Sequence, residues 1–312
     1  MELPVVKIPS TCSSPLAHLH GTPAAHQFPA SLRLGPAVAT CARPLAARAA
    51  PALLPAAAAS SKSSGAGGQS DESNVLTLDS IRRSLIKQED TIIFSLLERS
   101  QFCYNPDTYD RNASGIVGFN GSLVEFMVQG TEKLHAMMGR YKSPDEHPFF
   151  PEHLLEPVLP SVQYKNVLHP AAASININKK IWGVYFDDLL PRLVNEGSDG
   201  NRGSSAFCDT IILQALSKRI HYGKFVAEAK FQESPDKYKP AIKAQDKDKL
   251  MEMLTYVKVE ENVKRRVKSK AMTFGQVVNS EIEPELAAEL YDRWVMPLTK
   301  EVQVQYLLRR LD

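Results

Sequence analysis

The stretch 204–231, SSAFCDTIILQALSKRIHYGKFVAEAKF, decides the fold. Ile212, Leu216, Ile220, Phe225, Ala229 and their neighbours recur at helical spacing with no proline among them. They predict one long helix, with serines at its start to cap it. At ~1.5 Å per residue it would run for about 40 Å. Arg219 and Lys230 are close to a whole number of turns apart and project from nearly the same side, with Gly223 and Ala227 between them. Two cations separated by two minimal side chains make a concave strip with room for a small anion. Read alone, the stretch is more simply a surface helix whose long cationic stems lie along apolar surface. The anion reading therefore needs polar groups converging from other segments.

Toward the N-terminus, residues 76–101 carry an apolar stripe at Leu78, Ile81, Leu85, Ile92, Ile93 and Leu96, with Thr77 as its cap. Arg82 and Glu89 fall on that stripe, while Arg83, Lys87 and Asp90 fall opposite it. A charge on a buried face is costly unless paired or liganded, so Arg82 and Glu89 are either an internal brace or part of a site. Residues 104–121 are rich in Asn, Asp, Gly and Pro and predict a long loop. A helix resumes near Ser122 and runs toward Gly139 and Arg140. Prolines at 144, 148, 151, 157, 160 and 170 make the following segment a connector with at most short helices. Another helix is expected over 175–194. The glycine-rich segment 197–204 has neither dinucleotide nor phosphate-loop spacing, and reads as a flexible lead-in to the free amides at the start of the long helix.

Toward the C-terminus, one helix is expected from Asp246 to about residue 274 and a last one from Pro284 to Arg310, kinked before Pro297. The cationic run Lys264–Lys270 has no interleaved aromatics and reads as a solvated helical face rather than a nucleic-acid patch. Thr299 and Gln303 place two neutral hydrogen-bonding groups on the apolar stripe of the last helix. No stretch alternates with period two. The expected fold is all-α, a single large helical domain with its site inside a helical bundle.

Residues 1–70 hold five Lys or Arg and one acid in a background of Ala, Pro, Ser and Gly, a net of +4 in a chain whose total is +2. This basic, acid-poor leader predicts a cleaved organelle transit peptide ahead of one domain over 71–312. Near-neutral charge speaks against nucleic acid as a partner, and no run approaches the ~20 apolar residues of a membrane span. Cys103 and Cys208 lack CxxC spacing and read as reduced structural thiols; no histidine pattern suits a metal, and His221 reads as structural. What converges is Arg82, Arg219, Lys230, Glu260, Thr299 and Gln303. Cations without a nucleophile suit a small dicarboxylate or diphosphate held by electrostatics, with no cofactor or metal. A terpenoid-type diphosphate enzyme would need an acidic DDxxD cluster, whereas Asp187-Asp188 is followed by Leu-Leu-Pro-Arg.

Four runs, SLIKQEDTIIFSLLERSQF (84–102), SPDEHPFFP (143–151), LSKRIHYGKFVAEAKFQ (216–232) and PLTKEVQVQYLLRRLD (297–312), together resemble the all-helical chorismate mutases of fungi and plants. The resemblance extends from about Val75 to Asp312, and the leader resembles that of the plastid forms. It implies the Claisen rearrangement of chorismate to prephenate, toward phenylalanine and tyrosine, in the plastid. Such an enzyme holds a flexible dianion in a chair-like conformer and stabilises negative charge on the ether oxygen, which accounts for the missing nucleophile. By resemblance, Arg82 and Arg219 grip the two carboxylates with Thr299 assisting, Lys230 and Gln303 donate to the ether oxygen, and Glu260 takes the substrate hydroxyl. Fungal members have Glu in place of Gln303. An amide donates at any pH, so activity near neutrality is expected not to require protonation at position 303. Tyr256 stands where fungal members have Asn.

The resemblance also implies a homodimer regulated between subunits, with tryptophan as activator and tyrosine or phenylalanine as inhibitor. Arg140, Gly203 and Ser204 match positions lining that site, which gives the glycine-rich lead-in a purpose; Gly139 and Phe207 replace an Arg and a Thr of the fungal pattern. The competing expectation is a catalytically inactive helical paralogue that keeps only effector binding.

Overall fold

The computed structural model describes residues 77–160, 162, 164, 166–278 and 283–312. The leader expected over 1–70, with Cys12 and Cys41, lies outside the described residues. In chain order the helices are α1 (Leu78–Arg99), α2 (Leu123–Met137), α3 (Asn178–Val184), α4 (Leu190–Leu193), α5 (Arg202–His221) and α6 (Gly223–Glu233). They continue as α7 (Pro235–Lys243), α8 (Lys247–Leu254), α9 (Val257–Val278), α10 (Pro284–Leu290) and α11 (Met296–Leu308). Among the described residues there is no strand.

The stretch at 204–231 is at the centre. α1, α2, α3 and α11 all pack against α5, and α11 also runs along α6. Ile212, Leu213 and Leu216 are buried on α5 together with Ser205, Asp209, Ser217 and Arg219, so this helix is enclosed rather than half-exposed. One non-helical residue, Tyr222 (φ −60°, ψ −13°), separates α5 from α6 while staying in the right-handed region. The serines do not cap α5, which begins at Arg202 with Asn201 in the cap position and no capping side chain. Nor is the glycine-rich lead-in loose. Asp199 accepts from the amides of Cys103 (2.9 Å) and Asn201 (2.9 Å) and from Asn105 Nδ2 (2.8 Å), which ties the segment to the loop after α1.

Thr77 and Ser122 each close a capping box, at the starts of α1 and α2. The kink expected before Pro297 is a π-helical turn over Tyr291–Val295, between α10 and α11. The helix over 178–193 has the same device, a π turn at Tyr185–Leu189 ahead of Pro191. A proline lacks the N–H that would bond four residues back and its ring crowds that carbonyl; a widened turn relieves both.

Two further expectations are corrected. The helix read from Asp246 to about 274 is broken into α8 and α9, because Thr255 is extended (φ −88°, ψ 115°) and its hydroxyl donates to Met251 O at 2.8 Å. And Arg82 does not turn inward. It is exposed and paired with Asp79 at 2.8 Å, while Glu89 is 1% exposed and accepts from Arg266 (2.6 Å) and Lys270 (3.2 Å) of α9. Of the two charges expected on the α1 stripe only Glu89 is buried, matched by the run that sequence alone reads as a solvated face.

Candidate active site

Gly223 determines how closely the helices carrying the site approach each other. A Cβ at this position would lie 2.6 Å from the Thr299 carbonyl oxygen and 3.2 Å from its methyl, so only glycine lets α11 come this near to the α5–α6 junction. The small residues therefore do not leave an open strip as expected; α11 fills it and brings its own polar groups. Arg219 NH1 donates to Thr299 Oγ1 at 3.2 Å, and the Thr299 hydroxyl in turn donates to Val295 O at 2.6 Å. One turn along, Lys230 Nζ lies 3.4 Å from Gln303 Oε1 and 3.5 Å from Leu254 O, a carbonyl released by the break between α8 and α9. Gln303 Nε2 donates back to Thr299 O at 3.3 Å. That leaves its second N–H available to a ligand.

The electrostatics are unusual for a buried site. Arg219 is 5% exposed, its Nε has no hydrogen-bond partner, and among the described residues no carboxylate forms an ion pair with it. Its guanidinium lies 5.8 Å from the centre of the Tyr291 ring. Lys230 is likewise without a direct acid partner among the described residues, 4.7 Å from the centre of the Tyr256 ring. Burial, followed by Lys237, Lys300 and Arg82, lowers its pKa to about 8 against the opposing pull of Glu260. A buried Arg219 and a half-buried Lys230 without acid partners are costly to keep, and an anion bound between them would offset that cost.

Five of the six expected site residues are thus drawn together around α11. Arg219 meets Thr299, Lys230 meets Gln303, and Glu260 accepts from Lys300 Nζ at 2.9 Å beside them. Arg82 stands apart on the exposed side of α1, within electrostatic reach of Lys230. Lys300 joins them with no sequence signal of its own beyond adjacency to Thr299, and it also donates to Thr255 Oγ1 at 3.4 Å. His221 is structural as expected, accepting from the Ile177 amide at 2.9 Å.

The expected regulatory residues are not brought together within one chain. Arg140 donates to Gln214 Oε1 at 2.9 Å and pairs with Glu146 at 2.9 Å. Gly203 and Ser204 are exposed at the start of α5, and Gln214 lies about 15 Å further along that helix.

Residues 201–304 match the family profile described as chorismate mutase type II. The maize protein named chorismate mutase 1, chloroplastic, is 67% identical over 253 residues, covering 78% of this chain and 81% of that protein. Crystal structures of AtCM1 with phenylalanine or tyrosine bound in the allosteric site superpose with TM-scores of 0.73 and 0.74, each at 67% identity over 78% of this chain and 99% of that one. A Candida albicans chorismate mutase in complex with L-tryptophan gives a TM-score of 0.73 at 40% identity, over 76% of this chain and 92% of that one.

Proposed function

The chain belongs to the chorismate mutase family, and from that membership we propose that the site where side chains of α5, α6, α9 and α11 converge performs the conversion of chorismate to prephenate, an intramolecular transfer of the isomerase class (EC 5.4.99.5). The observation that carries the reading is Arg219, buried with an unpartnered Nε and no acid beside it. A guanidinium so placed offers a fork of donors to a carboxylate. In this reading Arg219 takes one carboxylate with the Thr299 hydroxyl assisting, and Arg82 swings in from the rim of α1 to take the other. As the ether C–O bond breaks and the new C–C bond forms, charge grows on the ether oxygen. Lys230 and the free N–H of Gln303 meet it there, held in place before the reaction begins. Glu260 accepts the substrate hydroxyl, with Lys300 orienting its carboxylate. No bond to the protein forms, so the rate comes from holding the reactive conformer and from placed charge.

The same membership supports operation in the chloroplast, with residues 1–70 as the transit peptide ahead of a domain over 71–312. Regulation by tryptophan, tyrosine and phenylalanine through Arg140, Gly203 and Ser204 requires a homodimer, because one chain holds these residues too far apart to share a ligand. The test is direct: follow chorismate loss and prephenate formation with the purified protein and with Arg219→Ala and Lys230→Ala. Each variant is expected to lose about 10²-fold or more in kcat/KM, the scale of a lost charge-stabilising donor. An inactive parent protein, or two fully active variants, would overturn the assignment.

A further inference from the structure

A further buried cation, Lys224, faces away from the active site. Lys224 is on α6 between Arg219 and Lys230, yet its Nζ meets neither of their partners. It donates to His147 Nε2 at 2.6 Å and to Ala172 O at 2.8 Å, both in the connector between α2 and α3. The side chain is 1% exposed and lines a cavity of about 550 Å³. No acid forms an ion pair with it among the described residues. Glu228, one turn on, is held by Arg310 at 2.6 Å and by Tyr306; Glu146, next to His147, is held by Arg140 and Lys218. Three donors on an ammonium meet two acceptors here, so one N–H is unmatched.

Two other polar groups lining the cavity are buried without partners: the Tyr141 hydroxyl and His147 Nδ1. Because Nε2 accepts from the lysine, the proton of neutral His147 sits on Nδ1, which makes it a second unused donor. Much of the remaining wall is apolar, from Pro144, Leu168, Ala172 and Ala173. A buried cation with no acid partner, two unmatched donors beside it and a partly apolar wall are the features that recognise a small anion.

We propose that this cavity binds a small organic carboxylate with an apolar, ring-sized body, its carboxylate on Lys224, His147 and Tyr141. Lys224 is the one buried cation of the wall, Lys142 being exposed at its edge with Glu146 also in the lining, and this suits a monoanion of this kind better than a phosphate ester, which would call for more than one buried positive group.

Proton linkage supports the assignment. The ionisable groups facing Lys224 are His147 from the connector and His221 from α5, whose rings stack at 4.2 Å. Burial first, then His221 and Lys224, hold the His147 pKa down to about 2, and burial with Lys224 lowers that of His221 to about 4. Both rings are neutral at working pH, so Lys224 is the charge that an anion would meet between them. Burial alone brings Lys224 to about 7. A carboxylate ligand binds the ammonium form, so its apparent affinity falls about tenfold per pH unit above that value.

The experiment is a ¹⁹F NMR titration of the full chain with 4-fluorobenzoate, in an Arg219→Ala background that removes the active-site carboxylate grip, repeated with Lys224→Met and with Tyr141→Phe. The expected result is saturable binding that tightens from pH 8.5 to pH 6.5, weakens severalfold in Tyr141→Phe, and is lost in Lys224→Met. Methionine replaces an unpaired buried charge by an apolar chain of similar length, so that variant should fold. Should it not, Tyr141→Phe decides. Absence of saturation below about 10 mM, or binding unchanged by both substitutions, would overturn the proposal.

Discussion

In the proposed reaction, Lys230 sets the pH range in which the site works. To stabilise charge on the ether oxygen it must carry its proton, and burial with neighbouring cations brings its pKa to about 8. Below that value the donor is charged; above it the charge is lost. We therefore expect kcat/KM, which reports ionisations of the free enzyme, to be flat on the neutral side and to fall about tenfold per pH unit above roughly pH 8. Gln303→Glu should change the profile at both ends. A carboxylate 3.4 Å from Lys230 holds the ammonium proton and moves the alkaline limb upward. The new acid donates only when protonated, so activity at neutral pH should drop and recover as pH falls. A Gln303→Glu profile superimposable on the parent would refute the donor role of this position. Away from the site, Arg99 and Asp209 form a fully buried pair at 2.8 Å, with the Tyr109 and Tyr185 hydroxyls also donating to the aspartate at 2.7 and 2.6 Å. Asp209→Ala leaves the guanidinium uncompensated and should cost about 3–5 kcal/mol in chemical denaturation; replacing both partners by apolar residues should cost less.

At the scale of the helix, Gly223 is where packing and activity meet. Gly223→Ala drives a methyl against the Thr299 carbonyl, a backbone atom that cannot swing aside as a flexible side chain could. The expected cost is about 1–3 kcal/mol, together with a fall in kcat as α11 is pushed back and Thr299 and Gln303 shift from their cations. Gly183→Ala in α3 is the control: its nearest neighbour is Asp187 Oδ2 at 3.5 Å, an ordinary contact, so it should stabilise by about 0.5–1 kcal/mol. Thermal melts and kcat of both variants check the pair. The same elements show what periodicity can and cannot reveal. The helices starting near Thr77 and Ser122, the cap at Thr77 and the kink before Pro297 follow from local rules, and so are legible in the sequence. The break at Thr255 is not, since neither glycine nor proline marks it and the freed Leu254 carbonyl has value only because Lys230 reaches it from another helix. Likewise a helical wheel puts Arg82 and Glu89 on one stripe; only the arrival of Arg266 and Lys270 from far along the chain decides which of them is buried. Lys300 escapes a reading of the sequence for the same reason, its partner Glu260 being on α9.

For the molecule as a whole, catalysis and regulation make different demands on assembly. The six proposed catalytic positions come from one chain, whereas Arg140 and the Gly203–Ser204 corner can share a ligand only across two. The surface beside them is suited to a second copy: Phe126 and Leu134 on α2 and Met138 just past its end are 45%, 58% and 47% exposed, with Phe207 on α5 at 50%. Large apolar groups repeated along one exposed helix face mark an interaction surface. Leu134→Asp places a charge in the middle of it. We expect this variant to sediment as a monomer, to keep basal kcat/KM within about twofold of the parent, and to lose its response to phenylalanine and tyrosine. Each readout separates one part of the account. A dimer that persists would move the interface elsewhere, a loss of basal activity would mean that the catalytic pocket also depends on the partner, and a monomer that still responds would place the effector within one chain, against the separation of Arg140 from Ser204.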